Sequence, residues 1–123
     1  MTDGFRFQLH IQKTHNMGIY LDLSRSEGEF LYHIEDIRKH VIALLHKNPK
    51  EAIEFLRRYE IIILSIIKKV SAIFKKFLNT EKLYYNIIKN YNKMSPKEIE
   101  ASLNKLFQDL KELSKHLYEV REI

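Results

Sequence analysis

Residues 57–78, RRYEIIILSIIKKVSAIFKKFL, restrict the fold more than any other stretch of this chain. Its longest uninterrupted apolar run is Ile61–Leu64, or Ile61–Ile67 if Ser65 is allowed. That falls well short of the ~20 residues a spanning helix needs, so no membrane span is expected. Set on a helical wheel, Phe55, Leu56, Tyr59, Ile62, Ile63, Ile66, Ile67, Val70, Ile73, Phe74 and Phe77 fill close to half the circumference. One neighbouring helix cannot cover so wide an arc, which predicts a central helix, Pro49 to about Leu78, packed by two or more others. Arg57, Arg58, Lys68, Lys69, Lys75 and Lys76 fall on the opposite face. A lysine face backed by Ile and Phe also suits a helix lying on a membrane, but apolar seams elsewhere in the chain supply cover for this one.

Those seams are well punctuated. Ser24-Arg-Ser-Glu27 and Ser26-Glu-Gly-Glu29 are overlapping capping boxes for a first helix whose seam is Phe30, Ile34, Ile37, Val41 and Leu44. Asn48-Pro-Lys-Glu51 ends it and starts the central helix. Thr80 is the expected cap of a short third helix reaching about Lys93, and Ser95-Pro-Lys-Glu98 opens a fourth. In that last helix Ile99, Leu103, Leu106, Leu110, Leu113, Leu117 and Val120 are spaced alternately by 4 and 3, the seam of a coiled-coil partner. Ahead of all these, Phe5, Phe7, Leu9 and Ile11 alternate with polar residues, as do Ile19, Leu21 and Leu23, around a turn containing Asn16 and Gly18. The expected fold is therefore mainly α: a bundle of four helices, three long and one short, with an N-terminal β-hairpin. The 123 residues make one domain, hairpin over 1–23 and bundle over 24–123.

Charge is unevenly placed along the chain. Residues 57–97 hold ten Lys or Arg against two Glu, whereas 1–56 hold 7 against 8 and 98–123 hold 4 against 6. Segregation of this kind concerns partners rather than fold. Lysine, Ile, Asn and Tyr are also abundant in AT-rich and heat-adapted genomes, and a small viral protein from such a source has this style. The chain has no cysteine, which removes disulfides, thiolate nucleophiles and cysteine-bound metals and suits a reducing, cytoplasmic setting. Its first twelve residues contain no basic stretch followed by an apolar run, so no secretory signal is expected.

Candidate chemistries are few. Glu29, His33, Asp36 and His40 are spaced 4, 3, 4 on one helix flank, and Glu112, His116 and Glu119 echo them. Dinuclear bundles place Glu-x-x-His inward on two helices; these stripes lie at the seam edges with other spacings, so ordinary carboxylate–imidazole pairing is favoured and no metal or cofactor is expected. Glu60, at the edge of the apolar arc, is either a tuned acid or a partner of Arg57. The three glycines are scattered, which leaves no phosphate-binding loop, and no Gly-x-Ser-x-Gly elbow occurs. The leading expectation is a non-enzymatic helical interaction or assembly module that self-associates as a homodimer through Leu103, Leu106, Leu110, Leu113 and Leu117 and a hairpin edge, or meets another protein there. The alternative is a sequence-indifferent nucleic-acid binder using Arg57, Arg58, Lys68, Lys69, Lys75, Lys76, Lys82, Lys89 and Lys93 on phosphates, with Tyr59, Tyr84, Tyr85 and Tyr91 as stacking candidates.

Overall fold

The computed structural model describes residues 23–121, with side chains to Ser114. Six helices fill this span: α1 (Arg25–Tyr32), α2 (Ile34–Lys47), α3 (Pro49–Arg57), α4 (Glu60–Ser71), α5 (Leu78–Asn90) and α6 (Pro96–Arg121), with 3-10 turns at Lys75–Phe77 and Tyr91–Lys93. The protein is mainly α, but the four-helix bundle with a hairpin is corrected. No strand occurs among the described residues, and the alternating segment predicted to form the hairpin lies outside them except for Leu23.

Two of the three long helices expected from the sequence are broken, for a common reason, and the third stands as α6. The first helix divides at His33, whose backbone N–H is shared between the carbonyls of Glu29 and Leu31. The break lets α1 pack on α4 while α2 packs on α3 and α6. The rod from Pro49 to Leu78 divides at Arg58 and Tyr59, where the Arg58 N–H reaches Phe55 O (3.1 Å) and the Tyr59 N–H reaches Leu56 O (3.0 Å). Such three-residue bonds tighten the turn and bend the axis. A second break follows Ser71, where Phe74 is extended (φ −111°, ψ 93°) and the chain doubles back into α5. An arc too wide for one neighbour is thus covered by dividing it among several neighbours.

Local capping explains most boundaries. Of the two overlapping boxes, Ser24–Glu27 forms: Ser24 N–H donates to Glu27 Oε1 (2.7 Å) and Glu27 N–H to Ser24 Oγ (3.2 Å). Asn48 Oδ1 accepts from Lys50 N–H at 2.9 Å ahead of Pro49. Ser95 and Glu98 cap α6 reciprocally, at 2.8 and 3.2 Å. Thr80, expected as a cap, instead lies inside α5, 2 % exposed, and donates to Asp109 Oδ2 across to α6 at 3.4 Å.

Helix α6 runs against α1, α2 and α5, and the buried apolar residues among those described join one cluster. Ile63, Ile66, Ile67 and Val70 of α4 are at most 1 % exposed, and Leu103, Leu106, Leu110 and Leu113 of α6 are fully buried. Each large aliphatic side chain so buried contributes ~1.5–3 kcal/mol.

One charged group sits inside this core, in addition to the buried hydroxyls of Ser71, Thr80 and Ser114. Glu27, 3 % exposed, accepts hydrogen bonds from Ser65 Oγ and from Lys69 Nζ (2.8 Å), joining α1 to α4. Burial pushes its carboxyl upward, but the bonds from Lys69, Ser65 and the Ser24 backbone together hold it below the ordinary glutamate value of 4.5. Lys69→Ala, which strands this carboxylate, is expected to cost about 3 kcal/mol in denaturant melts. Lys68→Ala, at the exposed neighbouring position, should stay within about 0.5 kcal/mol. Because the folded value is depressed, the stabilisation is present above pH 4.5 and lost as pH falls through the lower folded value. The stability gap between the wild type and Glu27→Gln should therefore narrow as pH drops below that point.

Candidate functional site

The expected basic stripe depended on α3, α4 and α5 sharing one line, and the two breaks disperse it. Arg57 lies 3.6 Å from Glu60, and Arg58 sits over the Phe55 ring, 5.5 Å from its centroid. On α4, Lys68 is exposed whereas Lys69 turns inward to Glu27. Lys75 is exposed in the 3-10 turn. Lys76 pairs with Glu112 of α6 at 2.8 Å and lies 5.2 Å from the Phe77 centroid.

Helix α5 differs. Lys82, Asn86, Lys89 and Lys93 are spaced 4, 3, 4 and all exposed. At about 100° per residue Lys82 and Lys89 fall within about 20° of arc, about 10 Å apart along the helix, and Lys93 follows in the 3-10 turn that ends α5. The side facing away from this line carries Tyr84 and Ile87 into the core, both fully buried. Glu81 is the only carboxylate in α5, and it lies about 100° round from Lys82. Lys82 and Lys93 have no ion pair among the described residues, and Lys89 is set over the Tyr85 ring, 5.4 Å from its centroid. Asn90 Nδ2 donates to Asn86 Oδ1 at 2.7 Å, holding that carboxamide in the row.

The tyrosines separate by role. Tyr84 is fully buried and its hydroxyl donates to Glu60 Oε1 at 2.9 Å. Burial, followed by that hydrogen bond and the Glu60 charge, pushes the phenol well above its ordinary value. Glu60 is thereby an anchor between Arg57 and Tyr84 that ties α5 back along α4. Tyr59 packs against Phe30 and Phe55, with centroids at 5.4 and 5.6 Å. Tyr85 and Tyr91 are half-buried.

A hollow of about 440 Å³ opens between α6 and the start of α5, where Lys105 pairs with Asp109 (2.9 Å) and Lys76 with Glu112. The carboxylate of Asp109 holds Lys105 above its ordinary range. Glu35, beside Arg38 and then Lys111, is lowered to about 2, in a cluster bridging α2 and α6. The stripe of Glu29, His33, Asp36 and His40 is split by the break at His33; Glu29 pairs with Arg25 at 3.3 Å, and the His40 ring meets Phe55 edge-on. Among the described residues no group of three or more His, Asp or Glu is placed to hold a metal, and His116 and Glu119 lie beyond the described side chains. No helix of the described residues is long and apolar enough to cross a membrane. Leu103, Leu106, Leu110 and Leu113 face the protein's own core, and Leu117 lies beyond the described side chains.

The Glu27–Ser65–Lys69 network was missed in the sequence. Its signal was present: Ser65 and Lys69 are four apart in an otherwise apolar register, and Glu27 is the acidic half of a capping box. No family model, no curated protein and no solved structure matches the chain.

Tyr84→Phe is expected to leave Glu60 short of one donor and to lower stability by about 1 kcal/mol in thermal or denaturant melts.

Proposed function

We propose that this chain is a non-enzymatic binding module whose partner is the phosphate backbone of a nucleic acid, held without regard to base sequence. The observation that carries this reading is the α5 row: the exposed Lys82 and Lys89 on one face with no carboxylate between them, followed by the exposed Lys93 in the next 3-10 turn. Lysine is a compact point charge that suits phosphate oxygens and lacks the planar fork that reads base edges. The helical part of the row, about 10 Å from Lys82 to Lys89, spans about three nucleotides at ~3.4 Å of rise each. Of the nine cations first grouped on sequence, Lys69 and Lys76 are engaged by carboxylates, and Arg57 leans on Glu60. Arg58, Lys68 and Lys75 extend the positive field without joining the line.

Three phosphate contacts imply that affinity for a fluorescent oligonucleotide falls about 20- to 40-fold between ~50 and ~200 mM salt. The triple exchange of Lys82, Lys89 and Lys93 to Glu should abolish binding while leaving the melting temperature nearly unchanged. An equal charge change at the exposed Lys39, Lys47 and Lys50 of α2 and α3 should weaken it far less. Absence of binding by the wild type at low salt would overturn the reading.

A self-associating assembly module is the second reading, favoured by one observation. Ile61 is 83 % exposed on α4, with the half-buried Leu64 three residues along the same face. Light scattering should then give a dimer across micromolar to millimolar protein, and Ile61→Lys a monomer. A wild-type monomer throughout removes this reading.

A further inference from the structure

The edge of the α5 row carries a feature that a plain phosphate clamp does not need. Tyr85 lies three residues after Lys82 and four before Lys89, about 60° to one side of the lysine line. Its ring is half-buried, propped edge-on by the buried Tyr84 at a centroid distance of 5.9 Å and an interplanar angle of 72°. The Lys89 ammonium lies over the Tyr85 ring, 5.4 Å from its centroid, so one π face is met by a solvated cation rather than by a core side chain. We infer that this face selects single-stranded nucleic acid over duplex, with Tyr85 as the platform for one unpaired base and Lys82 and Lys89 on the phosphates at either side. The inference rests on the phosphate-binding reading above.

A solvated ammonium over a tyrosine is held more weakly than a stacked base. An incoming base therefore displaces Lys89 from the ring, and its flexible four-carbon stem carries the charge to the adjacent phosphate. Every base offers a π face, so the platform adds affinity without sequence preference. In a duplex the bases are stacked on each other and only the backbone reaches the lysines. Tyr85 differs here from Tyr84, whose ring is enclosed, and from Tyr59, whose ring is flanked by Phe30 and Phe55.

The test compares a short oligo-dT strand with a duplex of equal length at one salt concentration, for the wild type, Tyr85→Leu and Tyr85→Phe. The wild type should bind oligo-dT at least about 10-fold more tightly than duplex. Tyr85→Leu should lose roughly 10-fold or more on oligo-dT and change little on duplex, and Tyr85→Phe should keep the preference. Equal wild-type affinity for the two, or an equal loss on both with Tyr85→Leu, overturns the platform while leaving phosphate binding standing. Failure of the wild type to bind either nucleic acid overturns the phosphate reading and this one with it. Should Tyr85→Leu melt early, photocrosslinking of a bromouracil-containing strand to the wild type replaces it. Crosslinks mapping to Tyr85 support the platform, and crosslinks that spare it overturn it.

Discussion

An apolar arc that one neighbour cannot cover governs the rest of this molecule. Ile63, Ile66, Ile67 and Val70 must all be removed from water, and together with Leu56 and Phe77 they ask for cover over nearly half a helix circumference. A straight rod of that length would need several partners aligned along it. The chain instead bends at Tyr59 and doubles back after Phe74, so α3 lies on α2 while α4 lies between α1 and α5. Each bend costs a few regular helical bonds, replaced in part by the tighter bonds at Arg58, Tyr59 and Ile73. Burial of a large aliphatic residue outweighs the net loss of one such bond, about 1 kcal/mol.

The polar groups caught inside this arrangement follow from the same geometry. Once α1 is laid on α4, its capping carboxylate Glu27 is enclosed and would be costly alone. Ser65 and Lys69, one turn apart on α4, meet it, and the cap thereby becomes a tie between two helices. Glu60 does the corresponding work at the other end of α4, where it accepts from Tyr84 and fixes how α5 returns. Both carboxylates have their charge directed to structure, with a hydroxyl and a cation as partners in each case. Glu27 and Glu60 are therefore fasteners between helices, α1 to α4 and α4 to α5.

Much of this was legible in the sequence, at one scale and not at another. The inward residues of each segment were readable because helical periodicity is local: the isoleucines of α4 and the leucines of α6 face the core as their spacing requires. Caps at Ser24, Asn48 and Ser95 were readable for the same reason. The breaks at His33, Arg58 and Tyr59 were not. No glycine or proline marks them, and the near-helical angles there arise from which helices must be met on either side rather than from local preference. The leucine seam of α6 shows the same division, since its spacing announces a partner but does not say that the partner belongs to the same chain. For the candidate site, the residue types were visible and their grouping was not, because a stripe extrapolated across two bends loses its register.

The distribution of cations carries one further step. Helix α6 carries its own acids, and these meet basic side chains of neighbouring elements, as Glu112 does Lys76 and Glu100 does His46. Helix α5 packs on α6 and α4 with Tyr84 and Ile87, so its lysine row points directly away from those acids. Amphipathicity thus places the row in solvent, and the absence of a carboxylate from its line keeps the three charges from being neutralised locally. Like charges gathered on one surface repel one another. Lys82, Lys89 and Lys93 therefore gather positive charge that a polyanion laid along them would offset. Solvation alone would be satisfied equally well by glutamate at any of the three positions, so the uniform sign, rather than the mere presence of charge, is what a partner of opposite sign would explain.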